Sequence, residues 1–202
     1  MPPDLETLGC DVLTAGAVPG RPAPPYERGV GHPLALDICD RIGAVSFAVL
    51  DAYPEIAPGW WCLVEQFALV EGTWTPAGGS HDNTTSQTPF ERPRAVSNSS
   101  LDWVDWASFG GVGGWDEEPR ERHSYFGIAV TGTMRLTVTT EDGRERDVPI
   151  TPWCGAWVVA APGRHSTLTG YDATGSVLGT VSDGPRRQAL AKRARRGDHR
   201  RR

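Results

Sequence analysis

The sequence has no apolar run long enough to cross a membrane. The longest run, residues 42–50, has nine residues and includes a Gly and a Ser, whereas a membrane-spanning helix needs about 20. The N-terminus also lacks the basic start and the apolar core of a secretory signal. We therefore expect a soluble, cytoplasmic protein whose thiols stay reduced.

Cysteine is scarce, and the spacing typical of zinc or redox sites is absent. The four cysteines are Cys10, Cys39, Cys62 and Cys154, so no CxxC pair exists. Cys62 and Cys154 fall in apolar, strand-like segments, where they either remain buried thiols or form a disulfide in an oxidising compartment. Each of the five histidines is isolated in the sequence. We therefore expect neither a metal site nor a cofactor.

The common enzyme signatures are also missing. The chain contains no GxxxxGK, no strand-linked GxGxxG, no GxSxG and no HExxH. One charged side chain, Glu65, interrupts the apolar segment 60–70. Burial would raise its pKa and make it a candidate acid or base, with a loop histidine such as His81 as its partner. The alternative is an edge position or a salt bridge with an arginine such as Arg135.

Lysine is nearly absent, since 19 of the 20 basic residues are Arg, and the charge is unevenly distributed. Residues 186–202 carry nine basic residues and one acid, a net charge of +8, whereas residues 1–185 carry 11 and 24, a net charge of −13. We expect the basic tail to be disordered and to contact nucleic acid or another polyanion. Alternatively, it folds back onto the acidic body or is an unselected extension. The expected polyanion contacts are Arg186, Arg187, Lys192, Arg193, Arg195 and Arg196.

Glycine and proline are abundant, with 24 and 17 residues, and apolar residues occur at an ordinary frequency. This composition is typical of a folded, turn-rich chain. Prolines at 19, 22, 24 and 25 mark residues 1–33 as a Pro-rich segment. A β-rich globular domain is expected at 34–183, followed by the basic tail at 184–202.

Apolar spacing suggests two helices. Leu5, Leu8 and Val12 follow a capping Asp4 and predict a short N-terminal helix. Apolar residues between 34 and 49 also recur at three and four positions, which predicts the clearest helix of the chain. The β-branched residues from 42 onwards leave open a helix to about residue 41 followed by a strand.

Residues 60–70 are apolar at both alternating positions, which predicts a central strand covered on both faces. Glu71 and Gly72 are expected to turn the chain back into residues 73–76. Residues 77–100 are rich in Gly, Ser, Thr, Asn and Pro and predict a long, mobile loop.

The clearest strand pattern lies between residues 123 and 181. A three-residue loop at 131–133 would pair residues 126–130 with residues 134–138 and place Met134 on a buried face. An antiparallel hairpin is therefore expected here.

A second hairpin is predicted from the same test of register. A loop at 141–143, with Gly143 in the left-handed position, would place Leu136 opposite Val148 and Met134 opposite Ile150. The two hairpins would then share one buried face. The strands expected to continue this meander are 153–159, 167–171 and 176–181, with turns at 162–163 and 172–175.

The last two of these strands and the turn between them contain the sequence GYDATGSVLG. With the preceding strand, Asp-Gly turn and strand, this half of the chain resembles β-rich domains common in actinobacterial proteins, whose last hairpin carries a similar Tyr-Asp-Ala-x-Gly-x-Val-Leu pattern. In this pattern Asp172 and Gly175 serve the turn, and Tyr171, Val177 and Leu178 the strands. The resemblance implies a fold and no activity, because no function is assigned to those domains.

Tryptophan is unusually frequent, with eight residues against five Phe and four Tyr. Those expected in strands and in the core are Trp60, Trp61, Trp153 and Trp157. Three others lie beside carboxylates and a Gly run in the segment 101–118, and such aromatic residues often hold sugar rings, cationic groups or protein partners. The alternative is a loop whose aromatic residues close one end of the fold. The expected ligand-binding residues are Trp103, Trp106, Trp115 and Asp105.

Together these features predict a mainly β fold. We expect an antiparallel β-sandwich or curled meander of roughly seven to nine strands, with one N-terminal helix and a disordered basic C-terminal tail. The function that fits best is a non-enzymatic binding or accessory module, which uses the 101–118 segment for a ligand and the tail for an anionic surface. The alternative is a small hydrolase-like enzyme that uses Glu65 and a loop histidine.

Overall fold

The computed structural model describes residues 4–83, 88–92, 104–105, 122–162 and 166–182. Within these residues the fold is mainly β, as the sequence predicts, with one helix and more strands than expected. The helix is α1, Leu5–Ala15, and the strands are β1 Gly31–Cys39, β2 Ile42–Leu50, β3 Trp60–Val70, β4 Thr73–Asn83, β5 Val104–Asp105, β6 Arg122–Ala129, β7 Arg135–Thr140, β8 Glu145–Val148, β9 Ala156–Pro162, β10 Ser166–Tyr171 and β11 Val177–Ser182.

The strands form three antiparallel sheets. Sheet A contains β1 to β4 in chain order, sheet B has the order β5-β6-β9, and sheet C has the order β11-β10-β7-β8. Sheet A is a simple meander because each of its strands pairs with the next. Sheets B and C instead alternate along the chain, so β9 returns to β6 across the whole β7–β8 hairpin.

Three apolar clusters separate the helix and the sheets into layers. The first lies between α1 and one face of sheet A, around Leu13 and Phe47. The second lies between the other face of sheet A and sheet B, around Val64 and Val158. The third lies between sheets B and C, around Trp157. Sheet B therefore has two buried faces. The tryptophans predicted to lie in the core are all buried or half-buried: Trp60, Trp61, Trp153 and Trp157.

The short N-terminal helix is confirmed. Asp4 caps α1, since its Oδ1 accepts the backbone N–H of Thr7 at 3.0 Å, and Gly16 ends the helix in the left-handed conformation. At Gly9 a side chain would collide with the ring of Phe67. A glycine on this face allows the helix to approach sheet A closely.

The helix predicted between residues 34 and 49 is wrong, because β1 and β2 occupy this stretch and the turn between them includes Asp40 at φ 55°. The alternative strand from residue 42 is confirmed. All residues of β2 except Leu50 are buried, because α1 covers one face and sheet B the other. Burial on both faces removes the polar alternation that marks a half-exposed strand.

The central strand at 60–70 and the turn at Glu71 and Gly72 are confirmed by β3 and by the positive φ of both turn residues. The long loop predicted at 77–100 is wrong for residues 77–83, which continue β4 beyond a register shift at Pro76. Residues 88–92 form no helix or strand, as predicted, but the expected mobility is wrong at Phe90, which is fully buried. Because β4 is an edge strand, its small and polar residues resemble those of a loop.

The hairpin predicted at 131–133 is wrong. β6 pairs with β9, β7 pairs with β10, and Met134 is 61% exposed. The hairpin at 141–143 is confirmed, with Leu136 opposite Val148 and Gly143 at φ 81°. Alternation identifies the apolar face of each strand but not the strand that pairs with it.

One buried ion pair joins all three sheets. Asp37 of β1 is 3% exposed and forms a bidentate pair with Arg146 of β8, with Nη1 2.8 Å from Oδ1. The backbone of Ala160 in β9 completes the cluster: its N–H donates to Asp37 Oδ2 at 2.7 Å, and its carbonyl accepts from Arg146 Nη2 at 2.7 Å. Burial disfavours the charge of Arg146, but the hydrogen bonds and charge of Asp37 outweigh this effect and raise its pKa. The pair thus completes the free edge of β9.

Candidate functional site

An open groove of about 280 Å³ lies where three distant segments meet. Its walls come from residues 16–18 after α1, residues 35–36 in β1 and residues 149–153 between β8 and β9. The lining residues are Gly16, Ala17, Val18, Ala35, Leu36, Pro149, Ile150, Thr151, Pro152 and Trp153.

The 149–155 segment is held in a fixed conformation. The Thr151 hydroxyl donates to the carbonyl of Leu34, and the Gly155 N–H donates to the Thr151 carbonyl at 2.7 Å. Gly155 has φ 77°, and a side chain there would collide with the backbone of Ala129. Pro149 and Pro152 restrict the backbone further. The groove is therefore preformed, as small ligand sites usually are.

The side chains that line the groove are mostly apolar, and backbone groups contribute polar surface. Two lining side chains carry a polar group: the Thr151 hydroxyl, which already donates to Leu34, and the indole N–H of Trp153. None of the lining side chains can act as an acid, a base or a nucleophile at neutral pH. The groove can bind an apolar group, but its lining side chains provide no catalytic group.

Trp153 connects the groove to an aromatic cluster between sheets A and B. Its ring centroid lies 6.2 Å from that of Phe90, which also contacts Trp60 at 4.9 Å and Tyr26 at 4.6 Å. His32 lies against the same cluster, and burial lowers its pKa. His32 is isolated from the other histidines in the sequence, but in the fold it packs among aromatic rings.

The segment that carries Phe90 is anchored by an arginine. Arg92 donates from Nε to the carbonyl of Ala129 at 3.0 Å and from Nη2 to the carbonyl of Thr133. These bonds fix residues 88–92 against the end of β6. They thereby hold Phe90 in place beside Trp153, which forms part of the groove wall.

Glu65 lies on the α1 side of β3, away from the groove. Its carboxylate fits over Gly79 of β4, where a side chain would collide with it. Burial, and then the negative charge of Glu6, raise the pKa of Glu65 to about 7. The predicted salt bridge with Arg135 is wrong, because Arg135 pairs with Asp147 and lies over the ring of Tyr171. An edge position is also wrong, since β3 lies between β2 and β4.

We expect the free energy of unfolding to fall as the pH rises through the range in which Glu65 loses its proton. Between pH about 4.5 and 7, the folded protein binds a proton that the unfolded chain releases, so the free energy of unfolding decreases with pH and levels off above 7. Glu65→Gln should remove this dependence and stabilise the protein at pH 8 by about 1–3 kcal/mol, because partial exposure reduces the full effect. Urea unfolding at pH 5 and pH 8 measures the change.

The control for this prediction is Glu55→Gln, which removes a carboxylate from an exposed loop position. It should change the free energy of unfolding by less than about 0.5 kcal/mol at either pH. Equal effects of the two variants would contradict the assignment to Glu65.

The residues predicted to bind a ligand are not brought together by the described structure. Trp103, Trp106 and Trp115 lie outside the described residues. Asp105 is described only as part of β5, where it pairs with Ile128. The 183–202 range, with the whole basic tail, also lies outside. The roles predicted for these residues therefore stay predictions.

The remaining candidates for chemistry are distributed across the fold. His81 and His123 lie in β4 and β6, and His165 and His199 fall outside the described residues. All four cysteines are free thiols; Cys62 and Cys154 are buried in one cluster, and burial raises the pKa of Cys154 to about 11. Among the described residues, no group of His, Cys, Asp and Glu could hold a metal ion.

Sequence reasoning missed the groove because its three walls are distant in sequence. Each wall alone is an unremarkable apolar or proline-containing segment. The available signal is the short sequence Pro149-Ile-Thr-Pro-Trp153, which combines restricted backbone with a partly exposed aromatic residue between two strands. No spacing rule links this segment to the end of α1.

Comparison with known proteins gives no relative from which a role could be transferred. No protein-family model, no curated protein and no solved structure matches the chain. In the part of the chain that the structure describes, no helix has the length and apolar character needed to cross a bilayer. The resemblance of the last hairpin to actinobacterial β-rich domains stays a prediction.

Proposed function

We propose that this protein is a non-enzymatic binding module that receives an apolar segment of a partner protein in the groove beside Trp153 and contacts an anionic surface through its basic tail. The observation that carries the proposal is the preformed, apolar groove between α1, β1 and residues 149–153. Its lining favours binding over catalysis, because it presents apolar surface without an ionisable side chain.

The chemistry of the lining also favours one ligand class. A sugar requires several hydrogen-bonding groups around its ring, whereas the lining side chains offer only the Thr151 hydroxyl, which already has a partner, and the indole N–H of Trp153. An aliphatic or aromatic side chain requires only apolar contact, which Leu36, Ile150 and Trp153 provide. A protein segment with an apolar anchor residue is therefore the better fit.

A substitution that fills the groove with a larger side chain should prevent an apolar ligand from binding there. N-acetyl-tryptophanamide serves as a probe of an apolar anchor residue, and we expect it to bind with a dissociation constant of roughly 0.1–1 mM, as its size allows. In amide NMR spectra of the full chain, the shifts should be confined to the groove residues. Ala17→Arg, at the exposed rim, should weaken binding at least about tenfold because the new side chain fills the groove.

The matched control is Ala23→Arg, which adds the same side chain at an exposed position that does not line the groove. It should leave the affinity unchanged. Shifts spread over other exposed apolar residues, or equal affinity in both variants, would show that the groove is not the site.

A second candidate function follows from Glu65, whose pKa of about 7 suits a general acid or base near neutral pH. A hydrolase-like reaction would require a partner such as His81, which lies in the adjacent strand β4 and pairs with Leu63. One variant distinguishes the two proposed functions. Glu65→Gln should abolish a hydrolytic activity and should leave ligand binding in the groove intact.

A further inference from the structure

The sheet edges of this fold differ in how they are protected from pairing with another chain. The edge strand β1 contains Pro33 and a register shift, and β4 contains Pro76 and a register shift. In β8, three of the four residues are charged. Prolines, bulges and charges on an edge are the features that prevent strands from associating.

The edge of β9 is protected in another way. The backbone N–H and carbonyl of Ala160 do not face β6, because both are bound by Asp37 and Arg146. The ion pair therefore occupies the hydrogen-bonding groups that a further strand would need. The other edge strand of sheet B, β5, is protected by its length, because it has only two residues.

Strand β11 has a register shift at Leu178 but lacks the other protective features. Its six residues, VLGTVS, include no charge and no proline, and it forms the outer edge of sheet C. Val177 is 60% exposed and Leu178 is 41% exposed, so no part of the described chain covers the start of the strand. Every second residue of an edge strand points its N–H and carbonyl groups away from the sheet, where they can pair with another strand.

We propose that β11 is the interface of a homodimer, in which the β11 strands of two copies pair antiparallel and join two C sheets into one of eight strands. Antiparallel pairing of identical strands has two-fold symmetry, so the same residues meet on both sides and no free β11 edge remains. The assembly stops at two copies.

Charge selects a second copy as the occupant. Residues 1–185 carry a net charge of −13, which would oppose self-association at most surfaces. The neutral β11 strand brings no like charges together. The segment that follows β11 in sequence carries a net charge of +8 over residues 186–202, which is opposite in sign to residues 1–185 of a second copy. The opposite charges favour the dimer.

Sedimentation equilibrium of the full chain between about 1 µM and 1 mM tests the proposal. We expect a dimer of twice 21.8 kDa with a dissociation constant of roughly 1–100 µM, because a single-strand interface lies at the small end of the size range. Thr180→Lys and Thr180→Glu, at an exposed position of β11, should each weaken dimerisation at least tenfold. Mixing the two variants should restore a heterodimer, because opposite charges then lie across the interface.

Thr75→Lys is the matched control, since Thr75 is an exposed threonine on the edge strand β4. It should dimerise like the unmodified chain, and all variants should keep the same thermal unfolding midpoint. A chain that stays monomeric at 1 mM would overturn the proposal. A dimer that is insensitive to both Thr180 variants would place the interface elsewhere.

Discussion

Asp37→Ala should lower the free energy of unfolding by about 3–5 kcal/mol, a large part of the 5–15 kcal/mol typical of a domain. The variant leaves the half-buried guanidinium of Arg146 without its counter-charge and the N–H of Ala160 without an acceptor. Both groups are costly to leave unpaired away from water. Urea unfolding followed by tryptophan fluorescence measures the loss.

Asp147→Ala is the control for this experiment. Asp147 neighbours Arg146 in β8 and pairs with Arg135, but its side chain is 76% exposed. Removing this surface ion pair should cost less than about 1 kcal/mol. A similar loss in both variants would mean that the Asp37 ion pair contributes no more than a surface pair.

A double variant separates the two roles of the buried pair. Where a buried ion pair acts only through its charges, replacing both residues with apolar ones is often neutral. Here Asp37→Leu with Arg146→Met should still cost about 2–4 kcal/mol, because the N–H and carbonyl of Ala160 lose their partners. Full recovery of stability would refute the role of the pair in completing the edge of β9.

Replacing the nine basic residues of 186–202 with Gln should reduce the affinity for a polyanion at least about 1,000-fold. The probe is a fluorescein-labelled 20-base-pair DNA duplex, followed by fluorescence anisotropy with the full chain at 50 and 200 mM salt. If six to nine of these residues contact phosphates, affinity should fall by about 10³–10⁵ between these salt concentrations. The rest of the chain, with its net charge of −13, repels DNA.

The control keeps the charge and changes the side chain. Replacing the eight arginines of this segment with Lys should leave the affinity within about tenfold, since the attraction is electrostatic and independent of sequence. No binding by the unmodified chain at 50 mM salt would remove the anionic surface from the proposed function. The proposal for the groove would be unaffected, because the two surfaces are tested separately.

Local signals were sufficient wherever one segment determines the structure. Strand β3, the cap of α1 and the turn at Gly143 each follow from residues within a few positions of one another. For Glu65 the sequence left two alternatives, and the structure supports burial, which raises its pKa, over an edge position or a salt bridge.

Non-local contacts account for what the sequence did not predict. β1 and β2 have helix-like apolar spacing, and only the layers on both sides of sheet A explain why they are strands. The pairing of β6 with β9 depends on how the layers stack, because the alternating apolar residues of β6 would fit several partner strands equally well. Asp37 and Arg146 are 109 positions apart. The groove likewise forms only when three distant segments meet.

The junction of Asp37, Arg146 and Ala160 also has a consequence for motion. Because one cluster joins strands from all three sheets, a fluctuation that releases any one sheet must expose a buried charge and unpaired backbone groups. Such partial opening carries this cost in addition to the apolar contacts that it breaks, so the cluster couples the unfolding of the three sheets. A protease would then find few partly open states within this core to cleave, and resistance to degradation would follow the global stability of the chain.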